Sequence, residues 1–120
     1  MLTPLGRQIR RLRIDKRVRL KDMADSFRVK SSFLSAVENG RKPLPDGWVK
    51  KIADYFDGYG VTLSEWERLA ELSKPKFTMN LASADEFDRE TCLAFGRYYL
   101  ELPPERKRKI REMLNNEDDD

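Results

Sequence analysis

The sequence predicts an all-α fold, a five-helix domain followed by a short C-terminal helical extension. Three observations predict it. Apolar residues recur at the i, i+3, i+4, i+7 spacing of a helix face in successive segments. Thr, Ser and Pro stand where helix N-termini need them, and Gly- or Pro-containing clusters stand where helices must stop. No stretch alternates with the period of a strand, and no internal repeat is present.

The elements follow in order. Thr3 before Pro4 fits an N-cap followed by proline at the first helical position. Leu5, Ile9 and Leu12 then form the inner face of a first helix that should fade near Asp15–Arg17. A second helix, about Leu20 to Phe27, carries the stripe Leu20, Met23, Ala24 and Phe27, and the small Ala24 lets the next helix approach closely. After a turn at Arg28-Val29, a third helix runs from Lys30 or Ser31 to Asn39, with Leu34 and Val37 inward and Asn39-Gly40 as its stop. The loop Arg41–Asp46 contains two prolines and cannot be helical. The fourth helix spans about Gly47 to Phe56, with Trp48, Val49, Ile52, Ala53 and Phe56 as apolar contacts. Thr62 and Glu65 have capping-box spacing and open a fifth helix, Leu63 to Leu72, which buries Trp66, Leu69 and Ala70. Ser83 and Glu86 repeat that spacing and open a sixth helix, expected to run to about Glu101. Pro103-Pro104 breaks the chain before a seventh, about Pro104 to Asn115. The organisation is therefore a domain over residues 1–75, a connector over 76–83, a helical pair over 84–115 and an acidic tail over 116–120, expected to be disordered.

Composition excludes several functions. Apolar residues make up 39% of the chain and charged residues 38%, too periodic a mixture for a disordered chain. Histidine is absent, which removes the usual general base and the commonest metal ligand. Cys92 is the only cysteine, so neither an intramolecular disulfide nor a cysteine-cluster zinc site can form; it is expected to be a small buried hydrophobe. No glycine-rich phosphate loop occurs, and catalysis by carboxylates alone has no motif behind it. An enzyme is not expected, nor any cofactor or metal. No apolar run reaches the ~18 residues of a membrane span, and the N-terminus lacks the apolar core of a signal peptide. A cytoplasmic location is expected.

Charge is unevenly distributed. Residues 1–60 carry 14 Lys/Arg and 7 Asp/Glu, a balance of +7, whereas residues 61–120 carry 10 and 14, a balance of −4. A basic half of this kind suits phosphate neutralisation and counterion release.

Residues 21–40 give that half a specific reading. Two short apolar-periodic runs flank a tight break near Arg28, the pattern of a helix-turn-helix. Met23, Ala24, Phe27, Val29, Leu34 and Val37 would close the corner over the first helix, each large side chain contributing about 1.5–3 kcal/mol on burial. The outer face of the third helix then presents Ser31, Ser32 and Ser35 with Ala36. Serine both donates and accepts, so it can read either kind of base edge, with weak discrimination. Lys30 precedes the helix and can reach a phosphate or a guanine edge. Asn39, Arg41 and Lys42 on the far side, and Arg19 and Lys21 on the near side, are candidate phosphate contacts that set position rather than sequence.

The elements Leu5-Gly-Arg-Gln-Ile-Arg-Arg-Leu-Arg13, Met23-Ala24, Val29, Leu34-Ser-Ala-Val-Glu-Asn-Gly40 and Pro43 resemble the Xre/Cro/phage-repressor type of helix-turn-helix regulator. The resemblance covers residues 3 to about 72. It implies that Ser31, Ser32 and Ser35 or Ala36 contact bases, and that Asn39, Arg41 and Lys42 contact phosphates. It also implies a structural Glu38 paired with an arginine of the first helix, here Arg10 or Arg13. Two departures stand out. Arg19-Leu20 replaces the Ser/Thr-Gln that commonly opens the second helix, removing its N-cap at a cost of about 0.5–2 kcal/mol. Arg28 replaces the usual turn glycine, with strain on the order of 1 kcal/mol where φ is positive.

The second half is richer in apolar side chains than exposed helices should be. Phe95, Tyr98, Tyr99, Ile110, Met113 and Leu114 are expected to form a dimerisation element, alongside packing within the chain. A dimer would read an inverted-repeat operator in double-stranded DNA, with half-sites about one helical turn apart. A dimeric repressor is the leading expectation. The alternative is an antitoxin or other protein-interaction module, with a protein partner such as a toxin and autoregulatory DNA binding. RNA binding has no single-strand stacking motif behind it.

Overall fold

The computed structural model describes residues 1–116. The chain forms α1 (Pro4–Lys16), α2 (Leu20–Ser26), α3 (Ser31–Glu38), α4 (Trp48–Tyr55), α5 (Leu63–Leu72), α6 (Glu86–Tyr98), a 3₁₀ turn (Tyr99–Glu101) and α7 (Pro104–Asn115). There is no strand among the described residues, and none of their helices is long and apolar enough to cross a membrane. Two compact units result, Met1–Phe77 and Thr78–Asp120. The tail residues Glu117–Asp120 lie outside the described residues.

The first unit is built around the side chains that the helical spacing puts inward. Leu5, Ile9 and Leu12 of α1 meet Met23, Ala24 and Phe27, then Leu34, Trp48, Ile52, Phe56 and Trp66, in one buried cluster. Aromatic edges lock it. Phe27 meets Trp48 at 4.9 Å and Tyr55 at 5.5 Å, both edge-on, while Phe56 stacks on Trp66 at 5.8 Å. Trp66 is fully buried and its indole Nε1 has no hydrogen-bond partner among the described residues. Two polar ties close the bundle. The Ser73 hydroxyl accepts from the Leu5 N–H at 2.9 Å and donates to the Leu69 carbonyl at 2.7 Å, joining the end of α5 to the start of α1. Lys16 Nζ donates to the Tyr55 carbonyl at 2.7 Å and sits 4.3 Å from the Tyr55 ring centroid, joining α1 to α4.

Caps explain the boundaries. Thr3 accepts from the Gly6 N–H and Thr62 from the Glu65 N–H, as their spacing predicts. At α6 the spacing misleads. Asp85, not Ser83, is the N-cap, accepting from the Asp88 N–H at 2.8 Å, because a carboxylate nearer the first turn outcompetes a hydroxyl farther away. The sixth helix also tightens to the 3₁₀ turn at Tyr99, ahead of the Pro103-Pro104 break.

In the second unit, α6, the 3₁₀ turn and α7 contain no buried residue. Cys92 is consequently half-buried rather than part of a core, with Sγ 3.7 Å from Met79 Sδ. Phe87, Tyr98, Met113 and Leu114 are 57–74% exposed.

Candidate nucleic-acid interface

The position of α3 is set at its C-terminal end, by α1. The Thr3 N–H donates to the Glu38 carbonyl oxygen at 3.0 Å and the Thr3 hydroxyl reaches the same oxygen at 3.3 Å. Gly6 faces that carbonyl so closely that a Cβ there would lie 2.1 Å from the oxygen. Only a residue without a Cβ permits this crossing. Below the crossing, Arg13 Nη1 contacts Glu38 Oε2 at 2.6 Å and Nη2 contacts Oε1 at 3.4 Å, with both side chains buried. Arg13, not Arg10, is thus the partner of Glu38. Burial pushes the Glu38 carboxyl above its ordinary value, while the Arg13 guanidinium opposes that rise.

At the other end, α3 is set by the turn from α2. Arg28 has φ 58°, in the left-handed region, so the chain reverses within one residue and the Val29 N–H closes on the Ala24 carbonyl at 3.0 Å. Val29 returns to the core as a partly buried contact. Lys30 is the N-cap of α3 and makes no side-chain capping bond, so the first N–H groups of α3 keep no side-chain cap. Beyond α3, Gly40 has φ 76° and the Arg41 and Lys42 N–H groups both fold back on the Ala36 carbonyl, at 2.9 and 3.2 Å. That fold-back brings Lys42 beside Ser32 and Ala36 on the outer face of the helix.

The result is a shallow depression of about 420 Å³ lined by Val29, Lys30, Ser32, Phe33, Ala36 and Lys42. Lys30, Ser32, Ala36 and Lys42, distant in type but adjacent on one face, are brought together there. Ser31 and Ser35 lie outside it, both half-buried. The Asn39 side-chain amide donates to the Ser35 carbonyl at 2.9 Å and, more weakly, to Ser35 Oγ at 3.5 Å, which ties Asn39 to the last turn of α3. Phe33 is the residue that sequence reasoning passed over. It packs edge-on against Trp48 at 5.9 Å and forms part of the depression's wall, and its place at i+3 from Lys30 was the available signal. A larger open groove of about 850 Å³ between the Arg41–Gly47 loop and α5 is lined by Arg41 and shares Lys42 with the depression, but contains none of the α3 serines.

On the near side, Arg19 gives α2 no side-chain capping bond, as its type predicts, but its own N–H is tied. Asp22 accepts from the Arg19 N–H at 2.8 Å, the reciprocal half of a capping box. The same carboxylate receives the Arg19 guanidinium at 3.2 Å. That hydrogen bond, and then the Arg19 backbone N–H, hold the Asp22 carboxyl below its ordinary value. Arg19 is therefore partly neutralised, whereas the exposed Lys21 has no recorded ion pair among the described residues.

A rigid helix carried on a three-helix corner, with small polar groups outward and cations at both ends, defines a helix-turn-helix protein. The chain matches the family model described as helix-turn-helix domain over residues 4–74. It belongs to that family, and the domain is a DNA-binding element. No curated protein and no solved structure matches the chain.

Proposed function

We propose that the protein is a sequence-specific regulator of transcription that binds double-stranded DNA, a dimeric repressor reading an inverted repeat through α3. The observation that carries this reading is the depression that gathers Lys30, Ser32, Ala36 and Lys42 on the outer face of a helix fixed at both ends. Lys30, Ser32 and Ala36 in that depression, with Ser31 and Ser35 beside it on the same helix, face base edges in the major groove. Arg19, Lys21, Asn39, Arg41 and Lys42 hold phosphates on either side and set the register. Phe95, Tyr98, Tyr99, Ile110, Met113 and Leu114 join two copies, so that the two helices meet half-sites one turn of DNA apart. Occupancy of such a site excludes other proteins from it, which is how a binder without catalytic groups represses.

Selection of bound duplexes from a random pool tests the reading, with the recovered motif examined for two-fold symmetry. Ser32 is exposed, so Ser32→Arg alters the preferred sequence without unfolding the domain. The change in discrimination should be about 1–3 kcal/mol at the base pair concerned. Lys42→Ala should weaken all duplexes alike and lower the salt slope by about one. An unselective pool, or an unchanged motif for Ser32→Arg, would overturn the assignment.

A further inference from the structure

From the second unit we infer that the dimer forms by cross-pairing: α6 of one copy packs on α7 of the other, steered by opposite charges along matching apolar stripes. This rests on the dimeric part of the reading above and names its partner surfaces.

Phe87, Thr91, Ala94 and Tyr98 recur at i, i+4, i+7 and i+11, so they form one stripe along α6. All four are exposed. Asp88 borders that stripe on one side and Glu90, with Arg97 two turns on, borders it on the other, about 70–90° around the helix. On α7, Ile110 and Leu114 form a stripe with Met113 beside it, and Arg106 and Arg111 border it on the two sides. Each helix thus offers an apolar seam with charged shoulders, the arrangement that sets partner choice between helices. In net charge the two helices are of opposite sign. The α6 segment carries three acids and two arginines, and the α7 segment carries five cations and two acids.

Local partners do not absorb these charges. Among the described residues, none of Asp88, Glu90, Arg106 and Arg111 enters an ion pair. The cations that are occupied lie elsewhere. Arg89 donates to the Leu81 and Ala84 carbonyls, and Lys107 donates to the Leu100 carbonyl over the Tyr99 ring. Pairing α7 with α7 would set cation against cation, and pairing α6 with α6 would set acid against acid. Pairing α6 with α7 of a second copy matches both, and two-fold symmetry makes the contact twice.

Sedimentation of the full chain without DNA tests the inference, at moderate salt and about 10–50 μM protein. The parent should be a dimer that weakens as salt rises. Asp88→Lys with Glu90→Lys, and separately Arg106→Glu with Arg111→Glu, should each weaken self-association about tenfold or more. An equimolar mixture of the two variants should form a heterodimer of about parental affinity, within a factor of roughly three. Circular dichroism checks that each variant keeps its helices. Should either lose them, the single changes Glu90→Lys and Arg111→Glu carry the same expectation at about threefold. A monomeric parent, variants that dimerise like the parent, or a mixture that stays monomeric would each overturn the cross-pairing. Duplex binding is scored separately. A monomer that still selects a half-site defeats this inference alone, and a cross-paired dimer with no duplex preference defeats the DNA reading alone.

Discussion

Replacing Gly6 by Ala should unseat α3, although alanine is the better helix former. A Cβ at Gly6 would lie 2.1 Å from the Glu38 carbonyl oxygen, 2.8 Å from its carbon and 3.0 Å from the Glu38 Cα, where ordinary contact begins at 3.4 Å. All three atoms are backbone, so no side chain can swing aside. The two helices must separate by about 1.3 Å at this point, the shortfall between 2.1 and 3.4 Å. The Thr3 N–H to Glu38 bond, now 3.0 Å, does not survive that displacement. Overpacking of this kind costs about 1–3 kcal/mol, and each lost hydrogen bond about 1 kcal/mol. Alanine returns about 1 kcal/mol in helix propensity. The net loss is about 1–3 kcal/mol, or roughly 5–20 °C in Tm for a unit of this size. Both tryptophans, Trp48 and Trp66, lie in the first unit, so urea unfolding followed by indole fluorescence reads that unit alone. Gly96 is the internal control. It is also helical but lies in the second unit, and a Cβ there meets nothing within 4 Å, so Gly96→Ala should leave the indole transition unmoved while raising helical content by circular dichroism. If Gly6→Ala behaves like Gly96→Ala, neutral or stabilising, the argument that α1 holds α3 by close approach is wrong.

Three further outcomes are expected. Arg28→Gly should raise the urea midpoint by a net ~0.5–1 kcal/mol, because it relieves a left-handed arginine but frees the unfolded chain; a lowered midpoint at unchanged m-value would count against strain at that turn. Asp22→Asn should release Arg19 toward phosphates, tightening duplex binding and steepening its salt dependence while weakening the start of α2; weaker binding with an unchanged slope would show that Arg19 does not face DNA. Glu38→Gln imitates the protonated carboxyl, so variant and parent should differ by less than about 1 kcal/mol near pH 4. Because burial raises the Glu38 value above 4.5, the parent should lose stability relative to the variant as pH rises through that raised value. Denaturation curves in which the parent instead gains on the variant with rising pH would show that Arg13 outweighs burial.

Helix limits were legible where local chemistry decides. The fifth and seventh helices match their expected limits, Leu63–Leu72 and Pro104–Asn115, because Thr62 and the Pro103-Pro104 pair leave little choice of starting point. Leu34 and Val37 could be placed inward from spacing alone, and both are buried. What the sequence left open depended on which helix crosses which. Arg10 and Arg13 lie one turn apart and are chemically alike, and only the crossing at Gly6 brings Arg13 to Glu38. Gly6 looks like a weak helix residue until the carbonyl opposite it is known. Phe33 was unassigned because a half-buried aromatic belongs equally to a core and to a surface. Cys92 was expected to be buried on the strength of its type, yet the helix that carries it has no buried residue. Asp22 shows the same limit in reverse, a cap supplied from within the helix where the position before it held none.

The lone indole proton of Trp66 makes the molecule its own recorder. Sealed in the cluster with no acceptor among the described residues, it meets water when the bundle opens. Its exchange with deuterium therefore keeps time with global unfolding, and slowing of that single resonance on adding a duplex would report how firmly DNA clamps the whole domain.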